Sequence, residues 1–148
     1  MFEILPAIDL RAGRVVRLRQ GDFARETIYS DDPVAVAIAF ADAGATWLHV
    51  VDLDGARAGE PVNGAVVQSI VGAVGERMQV EVAGGLRTPG AVSAILSLGA
   101  ARAVVGTAVL RDPSFAGRLV SSHGAARIAV AIDVRDGLAI GQGWVEGS

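Results

Sequence analysis

Cysteine is absent from this sequence of 148 residues, which excludes a disulfide framework, a thiol nucleophile and a thiolate metal site. Charge of one sign is also scarce. Thirteen basic and sixteen acidic side chains leave a formal charge of −3, and only 5% of residues are aromatic. Such mild acidity offers no electrostatic footprint for nucleic acid or anionic lipid. The longest clean apolar run, Val34 to Ala41, falls far short of the roughly 20 residues needed to span a bilayer. Glu3, Pro6 and Asp9 interrupt the start, so no signal peptide is expected, and the reading is a soluble cytoplasmic chain.

What is present points to a packed domain. Half of the residues are hydrophobic and 20% are charged, a balance that excludes disorder. The length predicts one domain over residues 1–148, burying roughly 70% of its surface on folding. Branched apolar runs recur at Glu3–Ile8, Thr46–Val51, Met78–Val82, Arg102–Val105 and Arg127–Ile132. Each is apolar on both faces, as in parallel strands covered by helices. Between them, Asp32-Pro33, Thr88-Pro89 and Asp112-Pro113 offer helix N-caps followed by proline, and Asn63 offers a fourth cap. Gly44 and Gly99 suit left-handed C-caps. The order is strand then helix, four times, ending on a fifth strand. That alternation implies a parallel α/β fold with right-handed crossovers.

One repeat stands out. Ala7-Ile8-Asp9-Leu10-Arg11-Ala12-Gly13 recurs as Ala131-Ile132-Asp133-Val134-Arg135-Asp136-Gly137, with five of seven positions identical and an offset of 124 residues. It equates the first strand with the fifth, and in an eight-stranded barrel those two stand on opposite sides.

Parallel α/β folds bind ligands at the carboxyl ends of their strands. Here those ends read Asp9, Asp52 with Asp54, Gly84-Gly85, Gly106-Thr107, and Asp133. Glycine turns bring backbone N–H groups close to a phosphate at a helix N-terminus, and Thr107 and Arg87 add donors. Plain turn geometry explains Gly84-Gly85 equally well; the same device on two adjacent strands favours phosphate. Asp9 and Asp133 form a candidate acid–base pair, since proton transfer at carbon needs one group to take a proton and another to give one. The alternative is that each caps a helix or pairs with Arg11 or Arg135. His49, inside the second strand, is either a packed or hydrogen-bonded core residue or one that faces the mouth of a barrel near Asp9. His123 reads as a solvated loop residue, and neither histidine has a companion at metal-ligand spacing. The alternation from Val15 to Gly21 reads as a small hairpin extension, from which Arg17 or Arg19 reaches a substrate anion or is simply solvated.

These residues also carry a resemblance. Leu5 to Gly21, with Pro6-Ala7-Ile8-Asp9-Leu10-Arg11-Ala12-Gly13 at its head, closely resembles the amino terminus of the histidine-biosynthesis isomerases, which are (βα)8 barrels. His49-Val50-Val51-Asp52-Leu53-Asp54-Gly55-Ala56, Gly84-Gly85-Leu86-Arg87, Val105-Gly106-Thr107-Ala108 and Ala131-Ile132-Asp133 resemble the next four strand ends of that family, in order. The likeness covers essentially the whole chain. It implies an Amadori rearrangement of a small bis-phosphorylated ribotide, aminoaldose to aminoketose, without metal or organic cofactor. It further implies Asp9 as proton acceptor and Asp133 as proton donor. Gly85, Gly106 and Thr107 match the family's first phosphate site, with Arg87 close by, and Arg17 and His49 match residues lining the substrate pocket.

The resemblance also marks a departure. A (βα)8 barrel needs ~250 residues, whereas this chain supplies the first four βα units, a fifth strand and the stretch Gly141-Gln142-Gly143-Trp144. The expected state is an incomplete TIM-barrel domain whose open edges and apolar face favour poor solubility or self-association. A full-length member is expected to be monomeric, and the second phosphate site is expected on strands that this sequence lacks. Two other readings stand beside the isomerase. One is a related activity on the same scaffold, either the cyclase subunit of imidazole glycerol phosphate synthase or a dual isomerase of histidine and tryptophan biosynthesis. The other is a non-catalytic half-barrel that binds phosphate and pairs with another half.

Overall fold

A computed structural model describes residues 2–140; Gly141 to Trp144 lie outside the described residues. Strand β1 (Ala7–Arg11) turns into β2 (Arg14–Arg19) and β3 (Asp22–Ser30), an antiparallel ribbon on one side of the sheet. The remaining strands are parallel. They are β4 (Trp47–Asp52), β5 (Gln79–Ala83), β6 (Arg102–Val105) and β7 (Ile128–Val130), giving the order β3-β2-β1-β4-β5-β6-β7. A separate hairpin follows, β8 (Asp133–Arg135) with β9 (Leu138–Ile140). This is an α/β fold of the kind expected, a partial (βα)8 barrel. Two strands differ from the sequence reading. The first begins at Ala7 rather than Glu3, and the fifth parallel strand stops at Val130 instead of reaching Ile132.

The helices start where capping chemistry allows. Asp32 accepts from the Ala35 N–H at 3.0 Å to open α1 (Pro33–Asp42), and Thr88 accepts from Ala91 at 3.1 Å to open α4 (Pro89–Ser97). Asp112 accepts from the Ser114 N–H and hydroxyl at the head of α6 (Ser114–His123). These bonds from Ser114, together with Arg118, hold the Asp112 carboxyl below its ordinary value. Helices α2 (Leu53–Ala58), α3 (Gly64–Val74) and α5 (Thr107–Arg111) complete the set. Gly44 and Gly99 end α1 and α4 with φ of +91° and +105°, as the sequence predicted. Asn63 stands at the N-cap of α3 but makes no capping bond, because its side chain is engaged elsewhere.

Alternation sorts the sheet into two faces. Ile8, Leu10, Leu48, Val50, Val80, Val82, Ala103 and Val105 are buried under Ala37, Val67, Ile70, Val92, Ile95 and Leu119 of the helices. The opposite face carries Asp9, His49, Glu81 and Arg102, and would be the interior of a closed barrel. No helix among the described residues is long and apolar enough to cross a membrane.

Candidate functional site

Parallel register places side chains of the inner face in rows. Ala7 of β1 pairs with His49 of β4, His49 with Glu81 of β5, and Glu81 with Arg102 of β6. Asp9, opposite Val51, stands one row nearer the carboxyl ends of the strands. Burial pushes the Asp9 carboxyl above its ordinary value, while the nearby His49 and Arg17 pull it the other way. A carboxyl moved in that direction is better placed to exchange a proton near neutral pH.

Asp9, Arg17 and Asp133 line one cleft of about 920 Å³, bounded on one side by β1 and β2 and on the other by the β8–β9 hairpin. The two aspartates of the repeat therefore face a common space. Their hairpins share one register as well. Asp9 pairs with Val16 and Arg11 with Arg14, as Asp133 pairs with Ile140 and Arg135 with Leu138, each 124 residues on. The turns match too. Ala12 and Gly13 adopt φ of 49° and 74°, and Asp136 and Gly137 adopt 53° and 80°. Two successive positive φ values are what a tight two-residue hairpin of this twist requires. Asp133 thus opens a hairpin strand of its own instead of closing the fifth parallel strand.

The carboxylates of the second strand end have a different use. Asp52 is buried and accepts from the N–H groups of Gly55, Val62 and Asn63 and from Asn63 Nδ2, at 2.7–2.8 Å. Asp54 accepts from the Ala12 N–H at 2.7 Å, and Asn63 Oδ1 accepts from Gly13 at 3.1 Å. This network clamps the β1–β2 turn onto the start of α2.

At the third strand end, close packing already requires the glycines. A Cβ on Gly84 (φ +105°) would lie 2.2 Å from the Asp52 carbonyl oxygen, and one on Gly85 (φ +74°) would lie 2.6 Å from the Glu60 carbonyl. Arg87 donates to the Ala56 carbonyl at 2.9 Å, which fixes it against α2. With Thr107, Arg111 and Arg118 it lines a smaller cavity of about 290 Å³. Gly106 is the N-cap of α5, and Thr107 is its first residue. Arg87 and Thr107 thus share one cavity, while Arg17 and Asp9 share another.

His49 is a hydrogen-bonded residue of the second parallel strand, one of the readings open from the sequence. Its Nδ1 lies 2.5 Å from Glu81 Oε1, and the other Glu81 oxygen accepts from Arg102 Nε at 2.7 Å. Arg102 in turn lies over the Trp47 ring, 4.3 Å from its centre. Sequence reasoning missed Glu81 and Arg102. The available signal was a glutamate in the middle of an apolar strand, Gln79-Val80-Glu81-Val82-Ala83, where a lone charge demands a partner. His123 is not merely solvated, since its Nε2 lies 3.3 Å from the Ser93 hydroxyl.

A family model described as histidine biosynthesis protein matches residues 3–148. Among curated proteins, the chain is 51% identical over 141 residues to the 1-(5-phosphoribosyl)-5-((5-phosphoribosylamino)methylideneamino) imidazole-4-carboxamide isomerase of Thermomicrobium roseum, covering 95% of this chain and 57% of that protein. It is 53% identical over 143 residues to the enzyme of the same name from Sphingopyxis alaskensis, covering 97% and 57%. A more distant relative of that name, from Brevibacillus brevis, is 42% identical over 144 residues, covering 97% and 57%. The chain spans somewhat more than half the length of these curated relatives.

Proposed function

The chain belongs to the histidine biosynthesis protein family, and on that footing we propose that it forms the amino-terminal part of a single-domain aldose–ketose isomerase acting on a bis-phosphorylated imidazole carboxamide ribotide. The observation that carries this reading is the cleft shared by Asp9, Arg17 and Asp133. The reaction relocates protons, so two carboxyls of different environment suffice for it and no metal or organic cofactor is required. Asp133, as general acid, protonates the ring oxygen while the C1–O bond of the ribose breaks, leaving a Schiff base. Asp9, as general base, takes the C2 proton to give an enolamine, which becomes the aminoketose on tautomerisation. The raised affinity of the Asp9 carboxyl for a proton supports that role. Arg17 within the cleft and His49 beside Asp9 meet the sugar. Gly85, Gly106 and Thr107, with Arg87 beside them, take one phosphate through backbone N–H groups, the Thr107 hydroxyl and the guanidinium.

The test is a chimera in which this chain replaces the matching part of the Thermomicrobium roseum isomerase. The chimera should turn over the ribotide, and Asp9→Asn and Asp133→Asn should each lower kcat by about 10²- to 10⁴-fold, the usual share of general acid–base catalysis. Retention of full turnover by either variant removes that aspartate from the acid–base pair.

A further inference from the structure

The row across β4, β5 and β6 contains a buried carboxylate for which the proposed reaction has no use. Glu81 is buried with both oxygens engaged, one by His49 and the other by Arg102. A carboxylate has only acceptor oxygens, so the short contact of 2.5 Å requires the proton to sit on His49 Nδ1. In a neutral imidazole one nitrogen donates and the other accepts, so a proton fixed on Nδ1 by the carboxylate leaves Nε2 as the acceptor. Every buried side-chain nitrogen or oxygen among the described residues has a hydrogen-bond partner. Among the described residues no group bonds His49 Nε2, and the ring, on the inner face of the sheet, keeps 28% of its side-chain surface exposed. The charged groups that face the imidazole are Asp9 from β1, with Arg17 of β2 beside that aspartate, and Glu81 from β5, with Arg102 of β6 behind it.

We infer that Glu81 is a positioning residue that holds His49 as its neutral Nδ1–H tautomer, so that the Nε2 lone pair is presented beside Asp9 as a hydrogen-bond acceptor suited to a hydroxyl of a sugar phosphate. Arg102, stacked on Trp47, holds Glu81 from the other side. Only the identity of the group that meets Nε2 rests on the proposed isomerase function; the placing of a proton on Nδ1 follows from the ladder.

Long-range proton–nitrogen NMR on the full chain labelled with nitrogen-15 tests this. His123→Asn leaves His49 as the sole histidine. Spectra at a pH of about 8, above the ordinary imidazole pKa of about 6.5, should show the Nδ1–H form almost alone. In Glu81→Gln the side chain can donate as well as accept, and the ratio of Nε2–H to Nδ1–H should rise about tenfold or more as the charge-assisted bond is lost. Should that variant fail to fold, Arg102→Gln removes the second anchor of Glu81, and the ratio should move the same way by a smaller factor. An Nε2–H form or an imidazolium in the parent, or a ratio unchanged by substitution, overturns the inference. The spectra need no substrate and no turnover, so this result and the kinetic result on the chimera succeed or fail separately.

Discussion

Two hairpins of one repeat, Asp9–Val16 and Asp133–Ile140, have the same register and the same turn, yet they occupy opposite environments. In the first, Leu10 is fully buried and the turn N–H groups are tied to Asp54 and Asn63. In the second, every residue is exposed, and Val134, the counterpart of Leu10, retains 63% of its surface. Local sequence suffices for the second turn, where Asp136-Gly137 suits two positive φ values, whereas at Ala12 the bonds to Asp54 and Asn63 help to hold a conformation that alanine disfavours. Burial comes from partners. The first hairpin is packed against the helix layer and held by the Asp54–Asn63 clamp at its tip, whereas the second stands across the cleft from Val36 and Phe40 with all its residues exposed.

The largest expected contrast follows from that pair. Leu10→Ala should cost about 3 kcal/mol in urea unfolding, as for a fully buried leucine, whereas Val134→Ala should stay within about 0.5 kcal/mol. Equal effects at the two positions would mean that the second hairpin is docked as firmly as the first. Asp54→Ala should cost about 1–2 kcal/mol by leaving the Ala12 N–H and the Asn63 amide short of an acceptor. Amide exchange at Ala12 and Gly13 should quicken, while exchange at Asp136 and Gly137 stays as it was.

The smallest effect concerns the aspartates themselves. Asp9 has a raised pKa in the folded chain, so the folded state holds its proton to a higher pH than the unfolded state. Its contribution to stability therefore declines as pH rises from about 3.9, the unfolded value, through the raised folded value. Asp9→Asn should remove that decline. The variant's Tm should exceed that of the parent at pH 7, with the advantage vanishing by about pH 3. Asp133→Asn, at an exposed position, should change stability at pH 7 by no more than about 0.5 kcal/mol. A parent whose Tm profile matches that of Asp9→Asn at all pH values would contradict the burial of Asp9.

Much of this was legible in the sequence because it depends on neighbours in the chain. The caps at Asp32 and Thr88, the terminating Gly44 and Gly99, and the alternation of strand and helix are all local in origin. The repeat also identified the two aspartates that line one cleft. What the sequence hid depends on register between strands. The Asn63 side chain suits a helix cap, but a buried Asp52 eleven residues earlier competes for it and wins. Glu81 and Arg102 become partners of His49 only once three strands align, and nothing within any one strand encodes that alignment. Gly84 and Gly85 read equally as phosphate turns or tight turns, and close approach to the Asp52 and Glu60 backbones accounts for them before any ligand is considered.

The two hairpins face each other across one cleft. Since the chain has no cysteine, Arg135→Cys gives a single site for a nitroxide label on the second hairpin. Paramagnetic broadening of amide resonances then reads its surroundings directly. The amides of Arg17 and Gly21, across the cleft from Arg135, should broaden strongly in dilute samples mixed with unlabelled chain. Sharp resonances at Arg17 and Gly21 in the oxidised label would contradict the shared cleft and, with it, the pairing of Asp9 with Asp133.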